Sequence, residues 1–320
     1  MTVPGLEVLA GGALTTVQDG GRHGWARYGI PPSGPADSVA LRAANLLVGN
    51  APEAAGLEIT LAGPTLRALR PLTLALCGAL FEVWRNEQEP VPFYQSFTLR
   101  TGEVLRFAAR RSGLRAYLAL RGGLALPPFL GSQSTYLPGG FGGLAGRALR
   151  AGDVLPVFPA VPLSETRLWP SQARPAYSSA PCLRVIPGPQ VEAFSAAGLE
   201  TFYHHSYQVS PQSDRMGVRL QGPAIAHAGK AEIISDGVVM GSVQVPPDGQ
   251  PIVMLADHQT TGGYPKIATV IRADLPLLAQ VLPGQWVRFT PTDVQTARNA
   301  WRALMEAGPV ALEEECWGGI

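Results

Sequence analysis

One short segment of the sequence concentrates the side-chain types that proton transfer and anion binding require. It runs from Asp257 to Lys266 and holds a carboxylate, an imidazole, hydroxyl and amide groups and an ammonium. Asp257 or His258 could move a proton, and Lys266 could neutralise an oxyanion or a phosphoryl group. The segment could instead be the solvated tip of a surface hairpin, but its mixture of groups in one loop favours a site. The candidate ligand contacts within it are Gln259, Thr260, Thr261, Gly262, Gly263 and Tyr264.

Two apolar runs must position this loop. They are Gly237–Val245 and Pro251–Ala256, and the turn Pro246–Gly249 separates them. The pattern predicts two strands, the second of which opens into the polar loop before the chain becomes apolar again. The paired glycines of the loop let its backbone adopt positive φ and approach a ligand closely.

A second group of polar residues lies near the start of the sequence. Apolar residues at helical spacing predict a helix over Ala36–Val48. Asp37 falls in its first turn, where the helix dipole stabilises a carboxylate, so it is either a helix-start acid or a ligand contact. Ser33 and the amide of Gly34 could face an anion in the same loop.

Arg215 is a third candidate. It could pair with its neighbour Asp214, or its planar guanidinium could hold a substrate carboxylate. The adjacent histidines His204 and His205 point in different directions on regular structure, so no metal site is expected there.

Short apolar runs divided by turn residues predict that most of the chain is β-strand. In residues 57–124 the predicted strands are Leu57–Leu61, Leu72–Leu76, Leu80–Trp84, Ser96–Leu99, Val104–Phe107 and Ala116–Leu120. A faint repeat supports two related halves, because 61–64 echoes 220–223 and 149–154 echoes 282–287. We therefore expect a mainly β fold with a few helices and two β-barrel-like lobes, with a cleft between them. The expected divisions are an N-terminal lobe over 1–158 with one early helix, a linker over 159–181, a C-terminal lobe over 182–291, and a C-terminal helix and tail over 292–320.

Three helices are predicted in the second half. One covers Gln190–Ala197 and stops at Gly198, and a second lies near Leu275–Val281. The third follows a capping pattern at 292–295, extends to about Glu306, and is expected to bury Ala297, Trp301 and Leu304.

The composition excludes several classes of protein. The net charge is +1 and 15% of residues are charged, which argues against nucleic acid as a partner. Three widely spaced cysteines do not make a disulfide framework or a zinc motif. No apolar run is long enough to cross a bilayer and no signal peptide is visible, so we expect a cytoplasmic protein that does not bind membranes. The sequence also lacks a P-loop, a GxSxG elbow, an HExxH motif and a biotin attachment site.

Five motifs occur in order along the chain: GALTTVQDGGR at 12–22, PSGPAD at 32–37, ANLLVGN at 44–50, SDRMG at 213–217 and QTTGGYPK at 259–266. Together they resemble the KipA/PxpC family, which is also called the allophanate hydrolase subunit 2-like or biotin-dependent carboxyltransferase domain family. The resemblance extends from about Leu6 to Phe289. The motif at 32–37 departs slightly, since it reads Gly-Pro-Ala-Asp where Gly-Ala-Met-Asp is frequent, but Asp37 is retained.

The resemblance implies a tandem of cyclophilin-like β-barrel lobes. It also implies one of three functions. Stand-alone members resemble the C component of an ATP-dependent 5-oxoprolinase, which works with a KipI-like protein and a LamB/YcsF-like protein to open 5-oxoproline to glutamate. The carboxyltransferase part of urea carboxylase is similar too, and would need biotin carried on another chain. Other members are partners of a histidine-kinase inhibitor.

Among these functions the stand-alone length favours the 5-oxoprolinase. ATP is then the expected cofactor, at a site that partner subunits could share, and no biotin is attached to this chain. An ammonium such as Lys266 and arginines such as Arg27 or Arg215 would suit a phosphorylated amide and a substrate carboxylate. The remaining expected substrate contacts are Ser33, Asp37 and Gln244, together with residues 259–264 of the loop.

Overall fold

The computed structural model of the chain describes residues 2–311, so Cys316 and the rest of the predicted tail lie outside the described residues. The strands are β1 (Val3–Ala10), β2 (Leu14–Gln18), β3 (Gly56–Thr60), β4 (Thr65–Ala68), β5 (Leu72–Arg85), β6 (Glu89–Pro90), β7 (Ser96–Leu99), β8 (Val104–Leu120), β9 (Val154–Val157), β10 (Arg167–Leu168), β11 (Cys182–Pro187), β12 (Tyr207–Val209), β13 (Gly217–Gln221), β14 (Asp236–Gly237), β15 (Ser242–Gln244), β16 (Ile252–Met254), β17 (Thr261–Gly262), β18 (Lys266–Val270), β19 (Trp286–Pro291) and β20 (Val310–Ala311). The α-helices are α1 (Ser38–Leu47), α2 (Ala196–His204), α3 (Leu275–Ala279) and α4 (Val294–Glu306), and single 3-10 turns cover Ala26–Tyr28, Ser171–Ala173 and Val191–Ala193.

The first lobe is a curled sheet of nine strands. Its order is β2-β3-β8-β4-β1-β9, and β5 pairs with β6, β7 and β8 at one side. The long strands β5 and β8 pair antiparallel along most of their length, and their register shifts near Leu80. The prediction of two separate strands over 104–107 and 116–120 is wrong, because β8 continues through Gly113, which adopts a φ of 70° inside the strand. Helix α1 buries its apolar face against β5 and β8.

The second lobe is a closed barrel. Its strand order is β11-β18-β15-β16-β13-β12-β19, and β19 returns to lie parallel to β11. Side chains such as Leu220, Val243 and Val253 fill its centre and are at most 1% exposed. The hairpin predicted over 237–256 is confirmed, since β15 pairs with β16 across a turn in which the Gly249 amide donates to the Pro246 carbonyl at 3.0 Å.

The prediction of a mainly β chain with two lobes and a few helices is therefore confirmed, and it is the second lobe that closes completely. Two helix predictions need correction. Helix α2 begins after Ser195 and runs through Gly198, where an added Cβ would collide with the Ala226 carbonyl, so this glycine provides close packing rather than a stop. Helix α4 covers the expected residues, but Trp301 and its other apolar side chains are only half-buried or exposed.

The segment between the lobes packs against both of them. Trp169 is 1% exposed beside α1, and β10 pairs with β20 from the end of the described chain. Tyr177 donates its hydroxyl to Asp37 at 2.7 Å. Among residues 2–311, no helix combines the length and the apolar character that crossing a membrane requires.

Candidate functional site

A buried arginine ties the two lobes together. Arg215 lies just before β13 and is 5% exposed. Its Nε donates to Oδ2 of Asp257 at 2.9 Å, its Nη2 donates to the Gly34 carbonyl at 2.6 Å, and its Nη1 donates to Glu58 in β3. The predicted alternative partner, Asp214, instead accepts two backbone amides of its own turn. Arg215 therefore uses its guanidinium to hold one carboxylate from each lobe.

Glu58 is fully buried and depends on this pairing. Burial alone would raise the pKa of Glu58, but the charges of Arg215 and Arg115 outweigh it and hold the pKa below its ordinary value. Its Oε2 accepts the Tyr117 hydroxyl at 2.7 Å and the Ala36 amide at 2.9 Å. Burial alone would lower the pKa of Arg215, but the two carboxylates raise it, so the guanidinium stays charged.

Asp37 belongs to the same buried network. Its Oδ1 accepts the Ala40 amide at 2.9 Å and so caps α1. Its Oδ2 accepts from Tyr177 at 2.7 Å and from Nε2 of Gln280, in the second lobe, at 2.8 Å. Asp37 has no exposed surface, and burial raises its pKa. The structure thus gives Asp37 a capping and lobe-joining position.

A cavity of about 330 Å³ lies between the lobes beside this network, where the sequence predicts a cleft. Its lining is mainly apolar, but Arg115, Arg215 and Asp257 face it. Asp214 and Met216 separate it from a second depression, because both residues line both spaces. A volume of this size is within the range of small-molecule sites.

The second depression is a polar groove of about 460 Å³ on the outer face of the barrel. Gln244 of β15 lies at its base, and its Oε1 accepts from Nε2 of Gln259 at 3.2 Å. Nε2 of Gln244 donates to the Tyr264 carbonyl at 3.3 Å, so the polar loop is fixed to the barrel strand beneath it. Gln244, Gln259 and Tyr264 are thus brought together around one space. The other polar side chains that line the groove are Ser210, Gln212, Asp214, Arg219, Gln221, Asp248 and Gln250.

A small two-stranded flap covers the end of the loop. In it β14 pairs with β17, so that Asp236 faces Gly262 and Gly237 faces Thr261. Lys266 lies behind this flap with its side chain 3% exposed, and its Nζ donates to Oδ2 of Asp236 at 2.7 Å and to the Gly237 carbonyl at 3.1 Å. The hydrogen bond from Lys266 lowers the pKa of Asp236. Lys266 therefore fastens the flap to the barrel.

His258 is a buried, neutral base that precedes Gln259 of the groove without lining the groove itself. It is 3% exposed, and burial lowers its pKa below the ordinary value. Its Nδ1 lies 2.7 Å from the Gln259 carbonyl, an oxygen that can only accept, so Nδ1 carries the proton and Nε2 the lone pair.

Because the pKa of His258 is lowered in the folded protein, the free energy of unfolding should depend on pH. An unfolded histidine binds a proton below about pH 6.5, whereas the folded one remains neutral to lower pH, so the free energy of unfolding should fall as the pH drops through this window. We expect His258→Gln to flatten the fall between about pH 7 and 5 in urea unfolding curves. His23→Gln, at an exposed histidine, is the control and should keep the original slope. Equal slopes for both variants would contradict the assignment.

Two predicted contacts lie away from this loop. Arg27 is exposed and stacks over the Tyr28 ring at 4.8 Å. Ser33 is buried in the loop before α1, with a φ of 55°, and lines a different depression described below. Thr260, Thr261, Gly262 and Gly263 lie in or beside the flap rather than in the groove itself.

Several residues of the site escape sequence reasoning. They are Glu58, Arg115, Tyr117, Asp236 and Gln280. Glu58 does leave a signal, because a carboxylate inside the apolar run of β3 requires a buried partner. Among residues 2–311, no cluster of three or more His, Cys, Asp or Glu side chains is arranged to hold a metal ion.

Comparison with known proteins identifies one family model and relatives that agree with it. A family model described as carboxyltransferase domain, subdomain A and B, matches residues 28–291. The chain is 41% identical over 301 residues to the C subunit of the 5-oxoprolinase of Escherichia coli (strain K12), covering 92% of this chain and 94% of that protein.

Two solved structures share the fold. The urea amidolyase of Kluyveromyces lactis superposes with a TM-score of 0.90 at 32% identity, and this chain covers 20% of its length. The protein TTHA0988 superposes with a TM-score of 0.82 at 40% identity, and this chain covers 55% of it. The chain thus matches nearly the whole of the bacterial subunit, but spans about half of one solved relative and about a fifth of the other.

Proposed function

Because the chain belongs to the family of the carboxyltransferase domain, subdomains A and B, we propose that it is a subunit of a hydrolase that opens 5-oxo-L-proline to L-glutamate with ATP. The match over nearly the whole length of the Escherichia coli 5-oxoprolinase component carries this proposal. The urea amidolyase relative contains the same fold as about a fifth of its chain and is less similar, at 32% identity, so it supports the proposal less directly.

The polar groove suits a small cyclic amide. A lactam presents one N–H donor and one carbonyl acceptor, and the carboxamides of Gln244 and Gln259 can each donate and accept. Arg219, also in the lining, can hold the substrate carboxylate through its forked donors. We assign substrate binding to these three residues, with Tyr264 at the edge of the groove.

Ring opening needs a water molecule to attack the lactam carbonyl carbon. The new C–O bond forms as the C–N bond breaks, one water proton is removed, and the leaving nitrogen gains a proton to become the amine of glutamate. His258 is the candidate base, since its Nε2 carries a lone pair at neutral pH and its neighbour Gln259 lines the groove. His258 itself is buried and does not line the groove, so this role requires the loop to open when substrate binds. Asp257 is fully engaged by Arg215 and acts through position rather than by proton transfer.

The groove does not fit ATP. Arg219 is the one cationic side chain among the described residues that line it, and Asp214 and Asp248 line it as well, so a triphosphate would meet little compensating charge. We therefore place the nucleotide with the partner proteins, of which one is KipI-like and the other LamB/YcsF-like. No step on this chain is assigned to biotin.

The proposal is tested by mixing the purified chain with its two cognate partner proteins and measuring glutamate formed from 5-oxoproline with and without ATP. We expect ATP-dependent glutamate only when all three proteins are present. No glutamate from the full mixture would overturn the proposal. Carboxylation of urea in a parallel reaction with a carboxybiotin carrier would favour the carboxyltransferase function, and binding of a KipI-like protein without either activity would favour a non-catalytic role.

A further inference from the structure

A third depression, of about 930 Å³, shares no lining residue with the polar groove. We call it the α4 trough. Its floor is formed by the loop before α1, by β18 and by the start of α3, and its wall is helix α4. The floor includes Val270 and Leu275, which are buried, and Val239 at the rim is 60% exposed.

Helix α4 presents one complete stripe to the trough. The stripe consists of Val294, Ala297, Arg298, Trp301, Arg302 and Met305. The apolar members recur every three or four residues, which is the spacing of one helix face. None of them is fully buried, and Val294 is 49% exposed. This face has the pattern of half of a helix–helix interface.

The trough is cationic. Arg272, Arg298 and Arg302 line it, and no aspartate or glutamate of the described residues does. None of these arginines pairs with a carboxylate in the part of the chain that the structure describes, whereas the whole chain balances 25 basic against 24 acidic residues. Arg272 stacks over Trp301 at 4.2 Å, so it also holds α4 against the barrel. The positive charge here is therefore available to an external group.

The floor also carries an unsatisfied polar atom. Ser33 lines the trough, is 7% exposed, and its Oγ has no hydrogen-bond partner among the described residues. A buried hydroxyl normally finds a partner, but this oxygen is itself inaccessible, so the surface open to a partner is the exposed stripe of α4 rather than Ser33.

We propose that the α4 trough binds an acidic amphipathic helix from a partner protein of the hydrolase complex. The identity of this partner rests on the proposed function. The helix would place its apolar side against Trp301 and Met305 and its carboxylates against Arg298 and Arg302. The stripe from Val294 to Met305 extends for about 16 Å, which is about three helical turns and longer than a small metabolite. Charge complementarity favours an acidic partner over a neutral one.

The test measures binding of the wild-type chain and of the double variant Arg298→Glu/Arg302→Glu to the two cognate partner proteins by biolayer interferometry. Both arginines are exposed, so the double variant should keep the wild-type melting temperature. We expect its affinity for one partner to fall by about tenfold or more, because attraction becomes repulsion. Arg288→Glu, at an exposed arginine on β19 outside the trough, is the matched control and should bind as the wild type does.

The outcomes separate this inference from the proposed function. Unchanged affinity of the double variant, with glutamate still formed by the mixed proteins, overturns the docking surface alone. Absence of both binding and glutamate formation with the wild-type chain overturns both. A chain shortened after Ala311 serves as a further arm: if removal of residues 312–320, which include glutamates, and the double variant lower the melting temperature by the same, non-additive amount while neither changes partner affinity, the trough is occupied by the chain's own end, and the partner-helix proposal is wrong.

Discussion

Replacing Arg215 with methionine is expected to lower the free energy of unfolding by about 3–5 kcal/mol, because the change leaves the buried Asp257 without its cation and leaves Glu58 with only the more distant Arg115, at 3.7 Å. Glu58 and Asp257 are each 1% exposed, so water cannot take over the role of the guanidinium. Methionine is also long and unbranched and keeps much of the packing, so the loss reports mainly the charge. Urea unfolding monitored by tryptophan fluorescence measures it.

Arg288→Met is the control for the Arg215 prediction, since Arg288 is exposed on β19 and its removal should change stability by less than about 0.5 kcal/mol. Adding Glu58→Gln to the Arg215 variant should recover part of the loss by removing one stranded charge. A loss below about 1 kcal/mol for Arg215→Met would show that the two lobes do not depend on this ion network.

Replacing Lys266 with methionine is expected to lower kcat/KM of the reconstituted complex by about 100-fold, because the flap loses its attachment and the loop that carries Gln259 and Tyr264 loses its position. Lys266 donates to Asp236 and to the Gly237 carbonyl, so it is a positioning residue. The loss should therefore appear mainly as a raised KM. Lys230→Met is the matched control, since Lys230 is exposed and is the other lysine of the sequence.

Asp236→Ala distinguishes positioning by Lys266 from direct chemistry. If Lys266 acts through the flap, removal of its partner carboxylate should also raise KM, by a smaller factor. An inactive Lys266→Met enzyme beside a fully active Asp236→Ala enzyme would mean that the ammonium contacts the reacting atoms, contrary to our assignment.

Helices and strands whose formation depends on residues close in sequence can be predicted from local patterns. Apolar spacing and the glycine that follows are enough to predict helix α1, and two apolar runs with a turn are enough to predict the β15–β16 hairpin. The errors fall where distant packing decides. Gly198 lies inside a helix, and it is glycine because the Ala226 carbonyl packs against it and leaves no room for a side chain. Gly113 stays in β8 because register shifts absorb its positive φ.

In the candidate site, too, contacts between residues close in sequence can be predicted, whereas contacts between distant residues cannot. Gln259 and Tyr264 can be placed together from the sequence, because they belong to one loop. Glu58 lies 157 residues before Arg215, and Gln280 lies 165 residues after Arg115, so only the packing of the two lobes brings these pairs together. A single sequence carries no spacing that links such residues.

The parallel pairing of the barrel's first strand with its last has a consequence for biosynthesis. As the chain leaves the ribosome, β11 emerges long before β19, so its free backbone groups wait without their final neighbour until almost the whole barrel has been translated. A nascent chain at this stage exposes a sheet edge that can recruit another polypeptide. Slower translation of residues 182–285 therefore lengthens the period during which this edge of the unfinished barrel stays exposed.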